Sequence, residues 1–234
     1  MYQQIVDALK EASSPEKKAF LPYFFKTGKG EYAEGDLFLG VTVPVIRSIA
    51  KEYLGASLST LHALLQSPYH ECRFCALVLL IHQFRKAPLE AREPFFRFYL
   101  EHTNRINNWD LVDVSAPAIV GEYLFDQPRT LLYELAASTN LWEQRIAMVA
   151  TLYFIRHYQL DDTFKLARLL LHHPHDLMHK AVGWMLREAG KKELEPLVVF
   201  LEKYAAEMPR TMLRYAIEKM DADQRLYFRS KKKG

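Results

Sequence analysis

An all-α fold of repeated helix pairs is predicted by three features of this 234-residue sequence. Apolar residues recur at helical spacing in segment after segment. Alternating period-two runs are nearly absent. Glycine is scarce: nine residues, where average usage of roughly 7% would give about 16. That scarcity argues against a turn-rich β fold and against several glycine loops.

The helical spacing marks the elements in order. Gln3–Glu11, Pro15–Lys26, Pro44–Tyr53, Leu58–Gln66, Glu71–Phe84 and Glu90–His102 come first. Asp110–Tyr123, Pro128–Ala137, Leu141–His157, Asp162–His172, Leu177–Gly190, Leu194–Ala206 and Arg210–Lys219 follow. Breaker residues separate them, among them Ser13-Ser14-Pro15, Ser67-Pro68, Asp126-Gln127-Pro128 and His173-Pro174-His175.

These helices repeat. Arg73, Asp110, Arg145, Lys180 and Arg214 are spaced by 37, 35, 35 and 34 residues. A period near 35 with two helices per unit marks a helical-repeat solenoid. The Trp-Leu-Gly and Pro positions of tetratricopeptide repeats are missing, so the repeat is HEAT-like. The expectation is one domain over 1–234, a right-handed stack of about six helix pairs with a concave face for binding. A disordered basic tail is expected at 228–234, ending in Lys231, Lys232 and Lys233.

Composition narrows the function. The net charge is +3. Residues 1–140 hold 14 Lys+Arg against 16 Asp+Glu, a net of −2, and residues 141–234 hold 17 against 12, a net of +5. A basic second half suits a phosphate backbone, and it equally suits an ordinary solvated helix surface. No apolar run reaches 18 residues, so no membrane span is expected. The start lacks a signal-peptide pattern, and two cysteines suggest free thiols in a reducing cytosol.

Three positions beyond each repeat marker lie Ala76, Asp113, Met148, Gly183 and Ile217. Asp113 alone is charged. A carboxylate in a packing slot is costly unless it is paired or used. It is alternatively an exposed residue, or a structural lock with a neighbouring arginine. Trp109 lies four residues before Asp113, on the same helical face. Lys180, Trp184 and Arg187 form a second stripe, and Trp142 with Arg145 a third. Each tryptophan thus sits beside a charge, although core filling is the commoner fate of a helical Trp. Indole faces attract cations and stack on bases. Arg and Lys hold phosphates. A carboxylate stabilises a developing cation and orients a water.

Phe38-Leu-Gly-Val-Thr-Val-Pro44, Trp109-Asp-Leu-Val-Asp113, Leu141-Trp-Glu-Gln-Arg145 and Lys180-Ala-Val-Gly-Trp-Met-Leu-Arg-Glu188 resemble the AlkD family of bacterial DNA alkylation repair glycosylases, as does Met208-Pro-Arg-Thr-Met-Leu-Arg-Tyr-Ala-Ile-Glu-Lys219. The resemblance runs from about Phe20 to Lys219. It implies hydrolytic release of N3- and N7-alkylated purines from duplex DNA, with no cofactor, no metal and no lyase step, in a bacterial cytoplasm or nucleoid; a monomer is the plainest expectation for a short solenoid that wraps DNA. It implies Asp113 as the catalytic carboxylate, Trp109 and Trp184 as aromatic walls, and Arg145 and Arg187 on phosphates. Lys180, Trp142 and Arg214 join the DNA-binding set from their places in the stripes and the repeat. A long loop, Lys26–Asp36, departs from the shortest members of the family. Two rivals stand beside this expectation: a non-catalytic binder of damaged or branched DNA, and a HEAT-like scaffold for a protein partner.

Other signals carry less. Cys72-Arg-Phe-Cys75 has no second CxxC and fits the inner face of a helix. His172, His173, His175 and His179 surround Pro174 in a turn and cap region. Thr27-Gly-Lys-Gly30 lacks the spacing of a P-loop. Gly183 permits either close helix packing or close approach of a sugar-phosphate backbone.

Overall fold

The structure, a computed structural model, describes residues 1–231. Among them the regular elements are helical, apart from one isolated parallel bridge between Leu37 and Tyr69. No helix among the described residues is long and apolar enough to cross a membrane. The helices group into two compact units, Met1–Ser115 and a second beginning at Ala116.

The first unit holds α1 (Tyr2–Glu11), α2 (Pro15–Phe24), α3 (Val43–Glu52), α4 (Leu58–Leu65), α5 (His70–Lys86), α6 (Glu93–Glu101) and α7 (Trp109–Ala116). Ser14 caps α2 by accepting the Lys17 N–H, and Pro15 sits at its first turn, where a missing N–H costs nothing. That helix stops two residues short of expectation, because Lys26 takes φ 56°. Helix α5 is the centre of the unit and packs against α1, α3, α4 and α6. Its Leu77, Leu79 and Leu80 meet a core that includes Ile5, Leu9, Leu61 and Leu64.

A long segment joins α2 to α3, and α5 holds it in place. The buried Glu71 carboxylate accepts N–H bonds from Leu39 (2.9 Å), Gly40 (2.8 Å) and Val41 (3.2 Å). The His70 N–H donates to the Leu37 carbonyl at 2.8 Å, and the Leu37 N–H to the Pro68 carbonyl at 3.1 Å. Gly40 needs its positive φ of 89° here, and a Cβ on it would strike the backbone of Ser14 and Lys18. The N–H groups of Gly28 and Gly30 are taken by Glu31 and Glu34, each at 2.8 Å, so this turn offers no phosphate cradle.

The second unit begins on Ala116, the last residue of α7, and a π-helical turn, Pro117–Gly121, follows at once. Pro117 has no N–H to complete an α-helical ladder, and the chain widens so that the Glu122 N–H reaches the Pro117 carbonyl. Then come α8 (Thr130–Ala136), α9 (Leu141–Arg156), α10 (Asp161–Leu169), α11 (Asp176–Lys192), α12 (Leu194–Tyr204), α13 (Arg210–Ala216) and α14 (Ala222–Ser230). Helix α9 packs on the π turn and on α11, and α11 packs on α13. Arg145, Lys180 and Arg214 are each the fifth residue of α9, α11 and α13, so the repeat seen in the sequence is a structural register. Asn140, His175 and Asp221 cap α9, α11 and α14.

One expectation is corrected. Residues Phe228 to Ser230, expected to begin a disordered tail, form the last turn of α14, and Phe228 is buried. Lys231 bonds to Glu202. Lys232, Lys233 and Gly234, the rest of that tail, lie outside the described residues.

Candidate functional site

Helix α7 positions the first candidate pair. The Asn108 side chain accepts the Trp109 N–H at 2.8 Å, and its carbonyl accepts the Val112 N–H at 3.1 Å, which starts the helix at Trp109. Trp109 is half-buried. Its ring stacks on Phe25, with centroids 5.4 Å apart and planes 23° apart, and meets Phe24 edge-on at 6.1 Å. Asp113 follows one turn later and is also half-buried. The four corresponding residues, Ala76, Met148, Gly183 and Ile217, are all buried. Asp113 is therefore the one charged and the one partly exposed member of the set. Burial, together with the nearby Asp113 charge, raises the pKa of the Tyr99 phenol, whose oxygen lies 2.9 Å from Ser115 Oγ.

The other candidates belong to the second unit. Trp142 and Arg145 on α9 are buried, at 8% and 4% exposure, and Arg145 donates to the Leu177 carbonyl at 2.6 Å. That bond ties α9 to the first turn of α11. On α11, Lys180 pairs with Asp176 at 2.7 Å, and Trp184 is half-buried. Arg187 is held by Glu188 at 3.1 Å and by Glu218. Burial works against the carboxylates of Asp176 and Glu188, but Lys180 at the first, and Lys191 with Arg187 at the second, hold them below the usual range, as Arg187 does at the exposed Glu218. Arg214 on α13 is exposed beside the Tyr215 ring. Lys180, Trp184, Arg187 and Arg214 thus reach solvent, whereas Trp142 and Arg145 serve packing. The Gly183 alternatives resolve toward packing, since a Cβ there would lie 2.5 Å from the Met212 carbonyl oxygen.

A further constellation beneath Trp109 was not visible in the sequence. His70 is 3% exposed and bonds Asp110 Oδ2 through Nε2 at 2.8 Å. Its Nδ1 lies 3.6 Å from Asp36 Oδ2, and Asp36 Oδ1 is 2.7 Å from the buried Arg73 guanidinium. Burial opposes the charged imidazole, but the Asp110 charge and hydrogen bond outweigh it and push its pKa up to about 9. Burial works against the Asp36 carboxylate as well, but His70 and Arg73 hold its pKa below the usual range. His70, Phe24, Phe25, Phe38, Phe74 and Trp109 are among the residues lining an aromatic cavity of about 400 Å³.

Cys72 and Cys75 are buried free thiols on α5, and burial pushes the Cys75 pKa up to about 12. His175 caps α11 and His173 lies 2.8 Å from Gln144 Oε1, as fits a turn and cap region. Among the described residues no three His, Cys, Asp or Glu side chains are grouped so as to hold a metal ion.

No curated protein matches the sequence. Solved structures do match. A predicted DNA alkylation repair enzyme from Enterococcus faecalis superposes with a TM-score of 0.73 at 18% identity, over 90% of this chain and 97% of that one. AlkD2 from Streptococcus mutans gives 0.56 at 17%, over 88% and 99%. The smu.31 protein of Streptococcus mutans UA159 gives 0.55 at 17%, over 94% and 99%. At these identities the likeness is one of fold. The model of the DNA alkylation repair enzyme family matches residues 5–220, and the chain belongs to that family.

Proposed function

We propose that the protein is a monofunctional DNA glycosylase that hydrolyses the N-glycosidic bond of positively charged N3- and N7-alkylated purines, such as 3-methyladenine and 7-methylguanine, in duplex DNA. The supporting observation is Asp113, a half-exposed carboxylate in a slot that is buried and uncharged in every other repeat.

The chemistry matches a single carboxylate. Sugar hydrolysis usually needs two, one of them to protonate the leaving oxygen. A cationic alkylpurine needs no such acid. When its C1′–N bond breaks, the electron pair neutralises the ring and the base leaves uncharged. What remains is an oxocarbenium-like sugar. The Asp113 carboxylate stabilises that cation and orients the water whose oxygen bonds C1′, and it accepts the proton the water loses. The Trp109 indole, braced by Phe25, offers a face to the cationic nucleotide.

In the second unit Trp184, Lys180, Arg187 and Arg214 contact the DNA, with the three cations on phosphates, where they fix position without reading sequence. Arg145 acts from its buried place by holding the start of α11, and Trp142 is buried one turn before it on α9. The protein works as a monomer on DNA in the cytoplasm.

Incubation with methylated genomic DNA, followed by chromatography of the released bases, tests this reading. Free 3-methyladenine and 7-methylguanine are expected. Salt-sensitive DNA binding without release would replace it with the non-catalytic binder.

A further inference from the structure

We propose that His70, held between the carboxylates of Asp36 and Asp110, is a positioning residue for the Trp109–Asp113 turn of α7; its effect on excision rests on the reading above. Three observations meet at this side chain. First, it bonds the residue next to Trp109. Asp110 Oδ2 takes the His70 bond at 2.8 Å, while Asp110 Oδ1 lies 2.8 Å from the Leu111 N–H, so the carboxylate is fixed at both oxygens. Second, the imidazole extends the aromatic stack behind Trp109. Its centroid is 4.9 Å from both Phe25 and Phe38, and Phe25 in turn stacks on Trp109. Third, its other edge is anchored to the long loop. Buried Asp36 Oδ2 and His70 Nδ1 face each other at 3.6 Å and have no closer hydrogen-bond partner.

The arrangement makes the start of α7 depend on residues far away in the chain. The Leu37–Tyr69 bridge brings Asp36 beside α5, and Arg73 neutralises it at 2.7 Å. With His70 protonated, Asp36, Asp110, Arg73 and His70 sum to zero charge. A charge-assisted bond in a buried site is strong and directional. Loss of one imidazole proton leaves a neutral ring whose remaining N–H still bonds the half-buried Asp110, but the bond is no longer charge-assisted and the turn carrying Trp109 and Asp113 is held less firmly. Other charged groups at this place are Glu71 of α5, which is committed to the Leu39–Val41 N–H groups, Lys17 of α2, which lines the same cavity, and Arg105, which bonds the Leu65 and Ser67 carbonyls and interacts with the Asp36 and Arg73 charges.

The test uses His70→Gln, Asp110→Asn and the unmodified protein. In His70→Gln, kcat for 7-methylguanine release should fall by about 10²-fold, the scale of a misplaced reacting group. Affinity for undamaged duplex should stay unchanged, and Asp110→Asn added to it should cost little more. The Trp109 indole and Asp113 amide resonances should shift in both single variants. In the unmodified protein they should shift together with the His70 ring as pH rises through about 9. This titration stands even if His70→Gln does not fold. Release per folded molecule unchanged in the variants, with only a lower melting temperature, would overturn the positioning role. So would His70 titration that leaves the Trp109 and Asp113 resonances still. If the unmodified protein releases no base, the glycosylase reading fails by itself, and the resonances alone decide the positioning.

Discussion

Gly183 on α11 lies so close to α13 that a Cβ on it would sit 2.5 Å from the Met212 carbonyl oxygen and 2.6 Å from Tyr215 Cβ. Gly121 stands in the same relation to the Ala150 carbonyl and Tyr153 on α9. In both cases the contacts lie 29 and 32 residues downstream, so the packing contact repeats as the helices do. Gly183→Ala sets a methyl against backbone, which cannot swing aside. It should destabilise by about 1–3 kcal/mol, the range for overpacking. At Gly190 the nearest atoms belong to the Leu197 side chain. Gly190→Ala should cost less, since that side chain can shift and alanine gains roughly 1 kcal/mol of helix propensity. Denaturant midpoints of the two variants check the order.

Glu71 holds three backbone N–H groups of the segment before α3. Glu71→Gln replaces one acceptor oxygen with a donor facing donors. At least one buried N–H is orphaned, at about 1–3 kcal/mol. Hydrogen exchange should show Leu39, Gly40 and Val41 losing protection before the α5 amides do. Uniform loss along both segments would contradict a local role.

His70 makes stability depend on pH. Its pKa is raised from 6.5 to about 9 by the Asp110 contact, which prevails over burial. A raised basic pKa means the folded state binds more protons than the unfolded one between these values. The contribution is complete below pH 6.5, declines as pH rises, and is gone once pH passes about 9. Urea midpoints across that window should fall in the unmodified protein. In His70→Gln they should lie lower in acid and lose this component of the slope.

Arg187 is shared between Glu188 and Glu218. A phosphate must compete with both carboxylates. Glu218→Gln should therefore tighten binding to undamaged duplex, and Arg187→Gln should weaken it. The slope of log K against log salt should fall in magnitude by about 0.9 in Arg187→Gln, the value for one lost phosphate contact. Titrations by fluorescence anisotropy at several salt concentrations measure both.

Helical periodicity made most of the architecture legible. The markers Arg145, Lys180 and Arg214 land on one position of three successive helices because packing of repeated pairs fixes that register. The exposure of Asp113 among buried counterparts was foreshadowed by its charge. Burial of Trp142 and Arg145 was not, because a charged residue one turn from an indole reads the same whether the face meets solvent or another helix. Helix α14 was missed, although Asp221 followed by Gln224 is a capping signal and Phe228 an anchor. The Asp36–His70–Asp110 set was illegible for a plainer reason. Its members come from a loop and two helices with no common period, and the first two meet through long-range contacts, the Leu37–Tyr69 bridge and the Asp36–Arg73 pair among them.

Asp113→Asn keeps the side chain's size and removes its charge. Single-turnover release of 7-methylguanine from a defined duplex, with variant and unmodified protein at equal DNA occupancy, bears most directly on the role of this carboxylate. The rate should fall by about 10²–10³-fold, the scale for removing one electrostatic group from a reacting centre. An equal rate in the two proteins would contradict it and remove Asp113 from the chemistry.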